Sequence, residues 1–572
     1  MLHRLIEKRL QHAVQAVLAD ADVSAVQVRP CPDPKFGDYQ ANALMSLARQ
    51  RKMNPRQLAS SVVQKLDVAD WCEQPEIAGP GFINFRLKNS AVAAALESAA
   101  RGADWFFQKT NVPRTIVIDF SSPNIAKPMH VGHIRSTILG DSLARTLRLL
   151  GHRVVTDNHI GDWGTQFGKL IVGWKNHLDR AALAADPIAE MERLYKLVNA
   201  ASESDPAVLE SARQELVKLQ NGDEENLRIW REMLSLSQHQ FDEIYSRLGV
   251  KFDHTLGESF YNPRLKSVVD DLRQRGIARD SEGATVVFFD DLPELKATPA
   301  MVQKSDGAAN YTTTDLATLQ YRLETWQPNE IIYVTDGRQQ LHFQQLFAIF
   351  KKWRSDASVK LAHVWFGSIL AEDGTPFKTR AGEIVRLAEL LDEAEERGFK
   401  VVSEKNPALP EPERREIGRI VGLGAVKYAD LAQNRQSDYI FSWEKMLSLS
   451  GNTAPYLQYA YTRIRSIFRR DELHESLASA KINLVAPEEL ALAKHLLNLG
   501  LVLEAVAEDY RPNFLCTYLF ELAGHFARFY ENCPVLKTEA AEKSSRLALC
   551  DLTVKVLQQG LNILGIETTE QM

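Results

Sequence analysis

Thr115-Ile-Val-Ile-Asp-Phe-Ser-Ser-Pro-Asn-Ile-Ala-Lys-Pro-Met-His-Val-Gly-His133 decides the fold of this 572-residue chain. Thr115 to Phe120 is an apolar run of the length expected for a buried strand. A polar turn containing Pro123 and Pro128 follows, and a long helical pattern opens near His133. This strand–loop–helix order places His130, Gly132 and His133 where exposed backbone N–H groups and the positive end of a helix dipole would meet a phosphate.

Outward from that stretch, strands alternate with helices, the sign of a parallel sheet. The helix is expected from about Gly132 to Leu150, with Leu139, Leu143, Leu147 and Leu150 facing the sheet and Gly151 ending it. His152-Arg-Val-Val-Thr-Asp157 reads as the next strand. It opens into the glycine-rich Asn158-His-Ile-Gly-Asp-Trp-Gly-Thr-Gln166, at the strand end where open α/β sheets bind ligands. Residues from about 172 to 280 break the rhythm with charged helical sequence, which reads as an insertion. Ala284–Phe289, Glu330–Thr335 and Leu361–Phe366 read as the returning strands, so the sheet is expected in two halves. Beyond Pro410 the pattern is almost wholly helical.

Residues 1 to about 108 form a different pattern, an α/β module. An amphipathic helix runs from Leu2, and a short strand at Ala25–Arg29 comes before the stiff Pro30-Cys-Pro-Asp-Pro34. Two short strands are expected around Gly79-Pro-Gly81. Composition, 45% hydrophobic and 25% charged, is that of a globular protein. No apolar run reads as a bilayer span, and the charged N-terminus does not read as a signal peptide. The five cysteines are scattered without a CxxC pair, so neither a zinc site nor a disulfide framework is signalled. A cytoplasmic setting is expected. The net charge of −6 argues mildly against nucleic acid, but phosphate contacts need only a local basic patch.

His130-Val-Gly-His133 carries the chemistry. Two histidines three apart could ligate a metal, but no further ligand stands at supporting spacing. A chance occurrence also stays open for so short a motif. Its place after a strand and before a helix, beside Pro128 and Gly132, favours binding phosphate as it is attacked, which is nucleotidyl transfer.

The motif resembles the HIGH signature of class I aminoacyl-tRNA synthetases. Ser121 to Thr137 is similar to the arginyl-tRNA synthetase family in particular. So are Gly161-Asp-Trp-Gly-Thr-Gln-Phe-Gly168, Tyr311-Thr-Thr-Thr-Asp-Leu-Ala317, Phe377-Lys-Thr-Arg-Ala-Gly382 and Asn452 to Ile464. The resemblance runs from about Gly37 to Met572. It implies a Rossmann-type parallel-sheet catalytic domain with an insertion, an N-terminal α/β module and a C-terminal helical bundle. The expected divisions are 1–110 (the module, touching the tRNA elbow), 111–371 (catalytic, with the insertion at about 172–280), 372–450 (signature loop and connecting helices) and 451–572 (anticodon binding).

The resemblance also implies substrates and roles. Arginine would be activated with ATP, accompanied by Mg²⁺ and without zinc, and transferred to tRNA(Arg), with tRNA required for activation. Asp119, Ser122, Asn124, Tyr311, Asp315 and Gln339 correspond to arginine contacts. Carboxylates suit a guanidinium through paired hydrogen bonds. From the residues alone, Asp315 as an acid at a helix start and Tyr311 as packing stay open. His130, Gly132, His133, Lys127, Lys378 and Arg380 would meet ATP. The Phe377-Lys-Thr-Arg380 stretch lacks the second lysine of the KMSKS signature, and Lys127 is expected to compensate. Tyr456, Tyr459 and Arg463, on one helix face, and Tyr39 and Gln40, in a loop, would contact tRNA, with packing open for Tyr39. A monomer is expected.

Overall fold

The computed structural model describes residues 1–102, 105–377, 385–470 and 477–572. The chain divides into two compact units, Met1–Thr110 with Ser448–Met572, and Asn111–Leu447.

The second unit is built on a five-stranded parallel sheet. Its labelled elements in chain order are β1 (Thr115–Phe120), α1 (Val131–Leu149), β2 (Arg153–Asn158), α2 (Pro187–Ser204), α3 (Glu224–Leu248), β3 (His254–Thr255), α4 (Tyr311–Trp326), β4 (Glu330–Val334), α5 (Gln340–Trp353), β5 (Lys360–His363), α6 (Leu387–Lys405) and α7 (Glu411–Leu431). The strand order is β3-β2-β1-β4-β5, all parallel. Strand order reverses between β1 and β4, so a crevice is expected beyond the carboxyl ends of those strands. Burial on both faces explains the unbroken apolar run of β1, whose Ile116, Val117, Ile118 and Phe120 have no solvent exposure.

The helix α1 starts and stops close to its expected bounds, but it is buried nearly all round. Besides Leu139, Leu143 and Leu147, it buries Arg135, Ser136, Asp141 and Thr146. The reason is a second layer: α1 touches the sheet on one side and the α6–α7 pair on another. Arg135 crosses to Asp430 of α7 at 3.1 Å and donates to the Gly367 carbonyl at 2.7 Å. Gly140 lets α1 lie against β1, because a Cβ there would fall 2.2 Å from Cγ of Phe120.

Two expectations for this unit change. Ala284–Phe289 was expected in the parallel sheet, but Ala284–Val287 forms a separate antiparallel sheet with Ala278–Ser281 and Ala300–Gln303. The cause is local: Glu282 and Gly283 both have positive φ, 51° and 82°, which closes a tight hairpin. The edge strand β3 lies within the span read as helical insertion, pairing His254 with Asp157. The helices of that span run from Gln166 to Leu248, with one more, Asn262–Gln274, after β3.

In the first unit, Arg29–Pro30, Tyr39–Ala41, Phe82–Phe85 and Glu76–Ala78 make an antiparallel sheet. Tyr39 and Gln40 therefore stand on a strand, not in a loop. The bundle helices of 454–563 bury Leu519, Leu522, Phe526 and Phe529 as their pattern requires. Among the described residues, Pro487–Asp509 has the length and mean hydropathy, 1.5, of a membrane span. It breaks into two helices, Pro487–Leu496 and Leu499–Asp509, and several of its charges are paired within the unit. Lys494 meets Asp38 at 2.8 Å, Glu489 meets Arg546 at 2.7 Å and Glu504 meets Arg4 at 2.7 Å. Those pairs mark the segment as bundle.

Gly140→Ala should force β1 and α1 apart and cost about 1–3 kcal/mol. A lowered denaturation midpoint for the unit formed by residues 111–447 is the expected reading.

Candidate active site

At the carboxyl end of the sheet, register aligns three side chains. Asp119 of β1 stands opposite Asp157 of β2 and Tyr333 of β4. Arg322, fully buried on α4, reaches into this row. It donates to Asp119 Oδ2 at 2.7 Å and to Asp157 Oδ2 at 2.8 Å, and its guanidinium carbon lies 5.4 Å from the centre of the Tyr333 ring. The other oxygen of Asp119 accepts from Ser122 Oγ at 3.1 Å. Asp119 is thus engaged through both oxygens by its own protein.

The loop after β1 is strained. Ser121, Ser122 and Ala126 have φ of 74°, 50° and 60°, a region that costs a non-glycine residue roughly 1–3 kcal/mol. Each of these residues has its backbone N–H held by a distant side chain. Ser136 Oγ accepts from Ser121 at 2.9 Å, Asn158 Oδ1 from Ser122 at 3.0 Å and Ser237 Oγ from Ala126 at 3.0 Å. Tyr245 of α3 adds a 2.8 Å hydrogen bond to Ser121 Oγ. Asn124 pairs with Gly161 of the glycine-rich loop, where a Cβ would fall 2.1 Å from Asn124 Oδ1. The two loops read from the sequence as ligand-binding are therefore in contact.

The loop delivers His130 to the N-cap of α1. His130 Nδ1 accepts from the Gly132 N–H at 3.1 Å, and His133 Nδ1 accepts from the His130 N–H at 3.1 Å. The rings lie 4.0 Å apart. With each Nδ1 an acceptor, a neutral ring carries its proton on Nε2 and presents a donor. Burial depresses the basicity of both: it takes His133 down to about 3, and it lowers His130 with help from the charges of Arg338 and Lys127. The pair therefore consists of neutral donors at a helix N-terminus. Lys127 is exposed, with Nζ 5.7 Å from the centre of the Tyr195 ring. Lys378 and Arg380 lie outside the described residues. The Val385 carbonyl accepts from the Val131 N–H at 3.0 Å, beside the histidines.

Across the crevice, Tyr311 begins α4 and is 59% exposed, open to a ligand. Asp315, one turn on, accepts from His342 Nε2 at 2.6 Å, and Tyr311 stands edge-on to the same imidazole. Gln339 is exposed in the turn after β4. Glu258, absent from the sequence reading, belongs to this group. Burial pushes its carboxyl up to about 7; Asp315 and Asp162 push the same way, opposed by His159 and a hydrogen bond from the Trp163 backbone. Two neighbouring carboxylates, one desolvated, favour a cation. Glu258 and Tyr311 also line a cleft of about 790 Å³ with Trp163, Asn310 and Thr314.

Arg322 was missed as well, though a signal existed. Tyr311, Asp315 and Arg322 are spaced four and then seven apart, which sets them on one face of α4. Glu258 left no such trace, because it lies in a short turn and its neighbours come from the glycine-rich loop and from α4.

In the first unit, Tyr39 is 2% exposed and its hydroxyl donates to Asn498 Oδ1 at 3.2 Å, so its ring is withdrawn from solvent. Gln40 donates to Asn84 Oδ1 at 2.8 Å. On the helix Ala454–Arg470, Tyr459 and Arg463 are exposed and Tyr456 is half-buried. Arg463 lies 4.7 Å from the centre of the Tyr530 ring.

The reversed strand order, with paired imidazole donors at the end of β1, defines the catalytic domain of a class I aminoacyl-tRNA synthetase. Residues 96–443 match the family model described as tRNA synthetases class I (R), catalytic domain. Residues 4–87 match the arginyl tRNA synthetase N terminal domain, and residues 457–572 the DALR anticodon binding domain. The arginine–tRNA ligases of Hahella chejuensis and Proteus mirabilis are 44% and 46% identical to this chain, each covering 100% of both sequences. Among solved structures, arginyl-tRNA synthetase from Thermus thermophilus aligns at a TM-score of 0.85 with 26% identity, covering 100% of both chains. That from Plasmodium falciparum aligns at 0.83 with 29% identity, covering 100% of this chain and 99% of the other. This chain belongs to the arginine–tRNA ligase family.

Glu258 supplies a test of the site. A carboxyl raised above its ordinary 4.5 in the folded state withdraws stability as pH climbs from there through about 7. Glu258→Gln should abolish that decline. Melting curves of both proteins across this range should converge at low pH and separate, with the variant higher, near neutrality.

Proposed function

We infer that this chain activates arginine with ATP and then transfers it to the 3′-terminal ribose of tRNA(Arg). The observation that carries the reading is the pairing, at one sheet end, of neutral imidazole donors with the neighbouring carboxylates Asp315 and Glu258. The arginine carboxylate attacks the α-phosphate in line, pyrophosphate leaves, and the adenylate passes its arginyl group to the tRNA hydroxyl. Alignment and charge stabilisation supply most of the rate.

His130 and His133 donate Nε2–H to the phosphate oxygens, and Gly132 lets the phosphate approach the backbone. Lys127, with Lys378 and Arg380, takes the charge of the departing pyrophosphate, and Mg²⁺ enters with ATP as part of the substrate. Asp315 and Glu258 hold the guanidinium against Tyr311. Asn124, Ser122 and Gln339 are left for the ammonium and carboxylate. Asp119 contributes through Arg322 and Ser122, since its oxygens are already engaged. Tyr456, Tyr459 and Arg463 offer stacking and charge to tRNA. The elbow is met around Gln40 and not by the buried ring of Tyr39. Zinc has no part, the enzyme acts as a cytoplasmic monomer, and tRNA is required before activation. Its parts are the N-terminal module (1–110), the catalytic domain (111–371), the connecting segment (372–450) and the anticodon-binding helices (451–572).

Arginine-dependent ATP–pyrophosphate exchange, with and without cognate tRNA, tests the reading. Exchange supported by another amino acid, or none with arginine and tRNA, would end it. Lys127→Ala should lower exchange roughly ten- to a hundredfold, with arginine KM nearly unchanged. Since a guanidinium prefers ionised Glu258, arginine KM should fall as pH rises through about 7, and Glu258→Gln should flatten that dependence. A parental pH profile in the variant would remove Glu258 from the guanidinium site.

A further inference from the structure

The inserted helix α2 sends two side chains to the two segments that flank the phosphate site. Tyr195 lies under the Lys127 ammonium, 5.7 Å from ring centre to Nζ, within cation–π range. One turn earlier, Glu192 accepts from Arg386 Nη2 at 3.1 Å, and Asp186, which caps α2, stands 3.8 Å from Arg386 Nη1. Arg386 is joined to the histidine segment in turn: it bridges antiparallel to His130, and the next residue, Leu387, donates its N–H to the Met129 carbonyl at 2.8 Å. Glu192 and Tyr195, three residues apart, share one helix face. One face of one helix therefore touches the lysine before the histidine pair and the arginine beside it.

We propose that α2 is a positioning element of the phosphate site, with Tyr195 aiming Lys127, and Glu192 together with Asp186 fixing Arg386 against His130. Lys127 is a long, exposed side chain with many rotamers, and an aromatic face beneath its ammonium narrows them. Glu192 also pairs with Lys196 at 2.8 Å, which orients its carboxylate along the helix. The inserted span then acts in catalysis by position, touching no substrate.

This inference rests on the role given to Lys127 above, and a double-mutant cycle in the full-length protein separates the two. Arginine-dependent exchange with tRNA present is measured for Lys127→Ala, Tyr195→Ala, Tyr195→Phe and the double alanine variant, each checked for parental melting. Tyr195→Ala should lower exchange roughly three- to tenfold without changing arginine KM. Tyr195→Phe should behave as the parent, and Tyr195→Ala should add nothing to Lys127→Ala. Equal losses from Tyr195→Ala in both backgrounds would overturn the proposal while leaving the role of Lys127 intact. So would a phenylalanine variant as impaired as the alanine one. Undiminished exchange in Lys127→Ala would remove the lysine's role and the proposal with it. Glu192→Gln, expected to lower exchange in parental but not in Arg386→Ala protein, tests the second contact; additive losses would overturn that half.

Discussion

Arg322 is a fully buried cation held between two buried carboxylates, Asp119 and Asp157, at the ends of adjacent strands. Taking such charges out of water is expensive, and the cost is recovered only when geometry is good and all three stay together. Removing one member typically costs about 3–5 kcal/mol, because the others are left buried and uncompensated. The triad therefore locks β1, β2 and α4 to one another at the crevice. Asp119, Tyr311 and Asp315 stand on β1 and α4 themselves, and Ser122, Asn124, Lys127 and His130 follow directly from the end of β1.

The locked strand ends permit strain elsewhere. Three residues of the loop after β1 adopt left-handed backbone, and the loop persists because Ser136, Asn158 and Ser237 each hold an N–H that the turn leaves unpaired. Two of those holders stand on the helix and strand that follow the loop. The third comes from α3, within the span that reads from the sequence as an insertion. Strain of this kind is affordable where it fixes a reacting geometry. Here it sets Asn124 against the glycine-rich loop and brings His130 to the cap of α1. Two histidines whose basicity is suppressed by burial then offer N–H groups without adding charge.

Much of this was legible in the sequence, for physical reasons that can be stated. The strand, turn and helix from Thr115 to Leu149 follow from local pattern, and the position of His130 and His133 at the helix start follows with them. Tyr311 and Asp315, read from spacing and resemblance, stand together against His342. What escaped depends on tertiary neighbours. Asp119 reads as a ligand, and only register and packing show that it stands beside Asp157 with Arg322 reaching it from α4. Glu258 gains its raised pKa from burial and from Asp315 and Asp162, none of which its own turn announces. Tyr39 carries an attractive side chain for stacking, but its strand turns it inward toward Asn498. The strand at Ala284–Val287 reads as part of the parallel sheet because its apolar run says nothing of the Glu282-Gly283 hairpin that pairs it antiparallel.

The claim that the triad organises the site, with Asp119 acting through Arg322 and not on arginine directly, is tested most directly by Asp119→Asn. Thermal melting and arginine-dependent pyrophosphate exchange should be measured on the same preparation. The account predicts a lowered melting temperature together with lost exchange, because one buried counter-charge of Arg322 is gone. A variant that melts like the parent and loses only its affinity for arginine would contradict it.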